Sequence, residues 1–114
     1  DASFPTFLIT HWVRDRPEGR IPLEQAVQMQ TQRTASYIGL TDRGTLTEGL
    51  RADINIIDLE SLRLTSPTLV ADLPAGGKRL LQHAKGYMAT LVGGTVIARD
   101  GELTGEFPGR VVRL

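Results

Sequence analysis

An α+β fold is predicted for this chain of 114 residues, with helices first and a small β-sheet after them. Three features of the sequence predict it. Apolar residues recur at helical spacing up to about Gly39. Short β-branched runs replace them after Gly44. The pairs Gly93-Gly94 and Asp100-Gly101 then punctuate extended runs as turns.

The helical part is read in order. Ser3 and Thr6 offer capping hydroxyls. Phe4, Phe7, Leu8, His11 and Trp12 follow at spacings of three and four, and Pro5 suits a first turn. A polar, turn-rich connector runs from Arg14 to Arg20. Pro22 then fits the first position of a second helix. Its apolar stripe is Leu23, Ala26, Val27, Ala35 and Ile38, with Gln25, Gln28 and Gln30 on the other face. Gly39 closes it as a left-handed glycine. Trp12 and Tyr37 sit at helical spacing among apolar neighbours and are read as core.

The extended part begins with a strand over Ala52-Asp53-Ile54-Asn55-Ile56-Ile57-Asp58-Leu59, with one partly wet face. Leu69 to Leu73 is a second extended piece, ended by Pro74. Ala75-Gly76-Gly77 is a loop, and Arg79 to Ala84 fits strand or helix, with strand preferred. Tyr87 to Val92 and Thr95 to Ala98 flank Gly93-Gly94, a hairpin whose turn needs positive φ. Asp100-Gly101 is a second turn, and Arg110 to Arg113 closes the chain as a last strand.

Composition excludes several classes of function. Lys and Arg number 13 and Asp and Glu 13, so the formal charge is zero. A nucleic-acid module or a polybasic membrane anchor carries a basic excess instead. With no cysteine there is no disulfide framework, zinc finger or thiol nucleophile. No apolar run is long enough to span a membrane. A chain of this length makes one domain at most, burying roughly 65% of its unfolded surface. Asp1 is not preceded by an initiator Met and no signal-peptide pattern follows it; a processed natural N-terminus and a cut inside a longer protein both look like this, and a cytoplasmic location is expected.

Chemistry-bearing residues are sparse. The two histidines, His11 and His83, are far apart and form no His-x-His pair, so each is read as packed or surface-exposed. Asp53 and Asp58 are an odd number of residues apart and face opposite ways from one strand. They make no acid–base pair, and Asp53 is expected to bond backbone or a basic neighbour. Gly76-Gly77 and Gly93-Gly94 lack the strand–glycine–helix setting that cradles phosphate. Ser3 and Ser36 have no nearby base. No catalytic residue and no metal ligand is assigned.

Three stretches carry a family resemblance. Arg33-Thr34-Ala35-Ser36-Tyr37-Ile38-Gly39-Leu40-Thr41-Asp42-Arg43-Gly44, continued by Leu46, Gly49 and Ala52-Asp53-Ile54, resembles the point where amidohydrolases leave their catalytic barrel for a small β-domain. Asp72-Leu73-Pro74-Ala75-Gly76-Gly77 with Arg79-Leu80 is similar to the N-acyl-D-amino-acid deacylases (D-aminoacylases) within that superfamily. So is Gly93 through Asp100-Gly101-Glu102-Leu103-Thr104-Gly105 to Pro108-Gly109-Arg110. The opening Asp1 to Thr6 resembles the stretch after the barrel's final strand.

The resemblance implies a fragment of a metal-dependent hydrolase. Such enzymes have a (β/α)8 barrel and a β-sandwich built from both chain ends. Residues 1–44 would be the last helical part of the barrel, and residues 45–114 the C-terminal part of the composite sandwich. The parent enzyme would use zinc to hydrolyse a C–N bond, that of N-acyl-D-amino acids. Its ligands would be histidines, a bridging acidic group and an aspartate lying before Asp1, so none carries over. Asp1 and Ser3 would lie near the barrel mouth, either on the substrate side or capping the next helix. This portion would be scaffold, inactive alone. Its partner would be the rest of the barrel or another copy of the chain, meeting Phe4, Phe7, Leu8 and Trp12. The alternative is a free-standing α+β binding or assembly module.

Overall fold

The computed structural model describes residues 3–112. The helical part holds three α-helices, α1 (Phe4–Phe7), α2 (Leu23–Gln30) and α3 (Gln32–Tyr37), and a π-helix at Leu8–Asp15 that continues α1 without a break. The strands are β1 (Ile54–Ile57), β2 (Arg63–Leu64), β3 (Thr68–Val70), β4 (Arg79–Leu81), β5 (Ala84–Lys85), β6 (Tyr87–Val92), β7 (Thr95–Arg99) and β8 (Glu102–Leu103). A short 3-10 turn at Pro74–Gly76 separates β3 from β4. The α+β class is as the sequence predicts.

The first helix starts at Phe4, but Ser3 does not cap it with its side chain. Thr6 is no cap either: it lies inside the helix and is buried. After Phe7 the helix widens, and the Arg16 N–H reaches back five residues to the His11 carbonyl at 2.9 Å. The Thr10 hydroxyl supplies a reason. It donates to the Thr6 carbonyl at 3.1 Å, the acceptor that the Thr10 N–H would use in an α-helix. The sequence period alone predicts an ordinary amphipathic helix here.

The second helical stretch is two helices rather than one. Pro22 precedes the first helical residue instead of occupying it, with ψ 139°. Thr31 then breaks the stretch at φ −123° and ψ −89°. Gly39 follows with φ 81°, the left-handed glycine expected there.

Four strands form an antiparallel sheet in the order β1-β6-β7-β8. Ile54 lies opposite Leu91 and Ile56 opposite Ala89, with a bulge before Ile57. The β6–β7 turn has positive φ at both Gly93 (55°) and Gly94 (82°), which gives the two-residue hairpin turn its twist. Pairs β2–β5 and β3–β4 make two small antiparallel ribbons beside the sheet. Arg79 to Ala84 is thus extended at both ends, in β4 and in β5. Leu69 to Leu73 shrinks to β3, which ends at Val70. Arg110, expected to open a last strand, has no regular structure through Val112, and Arg113 lies outside the described residues.

The core is small. Leu62 and Ala26 are fully buried, joined by Leu8, Ile9, Ala35 and Ala89. Gly86 presses against Leu62: a Cβ there would lie 2.6 Å from the Leu62 Cα. Only a glycine permits that approach. Trp12 and Tyr37 are not core residues. Tyr37 is 91% exposed. Trp12 is also exposed, its ring covered on one side by the Arg16 guanidinium at 4.4 Å.

Two global quantities describe an open molecule. The accessible surface is 8680 Å², against about 6,200 Å² for a compact monomer of this mass. The radius of gyration is 15.9 Å, against roughly 13 Å for a compact domain of this length. Phe4, Phe7, Leu69, Leu80 and Phe107 account for part of the excess, since each is exposed.

Candidate functional site

Of the two residues the resemblance places near the barrel mouth, Asp1 lies outside the described residues. Ser3 is half-buried, and its carbonyl accepts the Phe7 N–H at 3.0 Å. Thr6 and Arg14, further along the same helical stretch, reach the sheet and the loop after β1.

That junction rests on two polar anchors. The hydroxyls of Thr6 and Tyr87 hydrogen-bond at 2.8 Å. Thr6 comes from the first helix, and Tyr87 opens β6. The second anchor is Arg14. Its guanidinium donates to the carbonyls of Leu59 at 2.6 Å and Leu62 at 2.8 Å, while pairing with Asp15 at 2.6 Å. A charged donor on backbone carbonyls forms a strong, directional bond. Arg14 therefore holds the end of the π-helix against the loop that follows β1.

A third anchor ties the chain's crossover to the sheet. Asp53, just before β1, accepts from the Arg51 Nε and the Gly93 N–H, at 2.9 and 2.8 Å. Arg43 reaches the same carboxylate at 3.4 Å and pairs with Asp42 at 2.8 Å. Burial works to raise the Asp53 pKa, but the Gly93 N–H and the Arg51 guanidinium outweigh it and hold it below the usual carboxylate value. Asp58, just after the strand, is lowered by its hydrogen bonds from the Ser61 hydroxyl and the Ser61 and Glu60 N–H groups. Asp72 pairs with Arg79 at 2.6 Å across the β3–β4 ribbon, which lowers the Asp72 pKa.

These carboxylates are occupied by structural partners. Asp53, Asp58 and Asp72 are each held below the usual carboxylate range rather than pushed toward neutral pH as a general acid or base requires. His11 is stacked on Phe7, ring centroids 5.0 Å apart, and meets the Trp12 ring edge-on. His83 is exposed between β4 and β5. Among the described residues, no group of three or more His, Asp or Glu side chains could hold a metal ion. A catalytic zinc needs about three protein ligands. The residues described here do not fit that metal.

Sequence reasoning finds Asp53 as a partner of backbone and basic groups, and the structure agrees. It misses Thr6, Tyr87 and Arg14. A faint signal exists for Thr6, one of two threonines a helical turn apart, Thr6 and Thr10, among apolar neighbours. For Arg14 there is none, because its acceptors are carbonyls more than forty residues away.

The polar residues of this small α+β unit brace helix against sheet. Comparison with known proteins places it. The amidohydrolase family model matches residues 2–98, and the chain belongs to that family. It is 34% identical to a D-aminoacylase from Alcaligenes xylosoxydans xylosoxydans over 97% of this chain and 20% of that protein. It is 35% identical to a dihydroorotase from Bacillus cytotoxicus over 85% of this chain and 22% of that protein. A Bacillus thuringiensis dihydroorotase is 43% identical over 60% of this chain and 15% of its own length. The chain thus spans about a fifth of the length of the curated relatives it matches. No solved structure matches it. Among the described residues, no helix is long and apolar enough to cross a membrane.

Proposed function

We propose that this chain is the C-terminal scaffold of a cytoplasmic, zinc-dependent amidohydrolase that cleaves the amide C–N bond of N-acyl-D-amino acids. One observation carries the reading: the likeness to D-aminoacylase runs through 97% of this chain, across helices and strands alike. The dihydroorotase likeness supports the superfamily and covers less of the chain.

On this reading residues 1–44 are the last helical part of the barrel, and residues 45–114 are part of its companion β-sandwich. The chain's own residues then position rather than react. Thr6 and Tyr87 fix the first helix to the sheet, Arg14 fixes its far end, and Asp53 ties the crossover to the β6–β7 turn. Ser3 would lie near the barrel mouth, where the chain leaves the last barrel strand. Zinc, held by residues other than those described in this chain, would supply activation of water in the whole enzyme. The rest of the barrel, or another copy of the chain, covers the open apolar surface. Phe4, Phe7 and Trp12 belong to that surface. Leu8 does not, since it is already buried within the chain.

The test is a substrate panel on the complete protein that contains this segment. Release of free amino acid from N-acyl-D-amino acids, with little from the L-enantiomers and none of dihydroorotate's ring-opened product, is expected. Turnover of dihydroorotate alone would overturn the substrate assignment.

A further inference from the structure

We draw no further inference here: the strongest candidate, the open cavity of about 510 Å³ between the loop after β1 and the start of β6, lined by Asp58, Ser61, Lys85, Tyr87 and Asp100, carries nothing because Asp58 and Tyr87 are already engaged by Ser61 and Thr6 and no buried, unpartnered polar side-chain atom is found among the described residues.

Discussion

The Thr6 and Tyr87 hydroxyls meet at 2.8 Å although 81 residues separate them in sequence. This one bond joins the start of the helical part to the longest strand of the sheet.

Removing it has a definite expected cost. Tyr87→Phe leaves the buried Thr6 hydroxyl without its partner, which costs about 1–2 kcal/mol. Thr6→Val removes the other hydroxyl at nearly constant volume. In the complete protein, chemical denaturation of both single variants and the double variant should give a coupling energy near 1 kcal/mol. Additive effects would show that the two hydroxyls do not depend on each other.

Asp53 makes stability depend on pH in a known direction. Its folded pKa lies below the ordinary carboxylate value of about 4. The ionised group therefore stabilises the fold above that value, and the contribution fades as pH falls through the folded pKa. Asp53→Asn should lower the melting temperature at pH 7, with the gap to the parent protein closing in acid. A gap that widens toward pH 3 would contradict the anchor described for Arg51 and Gly93.

The β6–β7 turn separates backbone strain from crowding. Nothing lies within 4 Å of a Cβ built on Gly94, whose φ is 82°. Any penalty there comes from the backbone alone. Gly94→Val should cost roughly 1–2 kcal/mol, whereas Gly94→Asn, which tolerates that conformation, should cost much less. Equal melting temperatures for the two variants would count against the turn.

What the sequence reveals and what it hides follow from distance along the chain. The β6–β7 hairpin is legible because Gly93-Gly94 writes its turn locally. Gly39 is legible for the same reason. Thr10 hides the π-helix, because its hydroxyl takes the Thr6 carbonyl while the apolar spacing still reads as an α-helix. Tyr37 is misread as core because periodicity shows that a helix has a face, not that anything covers it. Arg14 is read as part of a connector, yet its partners lie beyond β1. No reaction centre is legible in the sequence; what the structure brings together around Asp53 is Arg51, Arg43 and the Gly93 N–H.

The open surface predicts behaviour in solution. The isolated chain exposes roughly 2,500 Å² more than a compact monomer of its mass. Apolar patches beyond a few hundred Å² find partners. Sedimentation equilibrium of the isolated chain should show self-association, reduced when Phe4 and Phe7 are both replaced by serine. A monodisperse monomer over a wide concentration range would mean that Phe4 and Phe7 cover nothing.

If this segment is the scaffold of a larger hydrolase, as proposed, activity belongs to the complete protein. Hydrolysis of an N-acyl-D-amino acid, measured side by side for the complete protein and for the isolated chain, tests it most directly. Turnover by the complete protein and none by the isolated chain is expected. Turnover by the isolated chain, or its absence from the complete protein supplied with zinc, would contradict it.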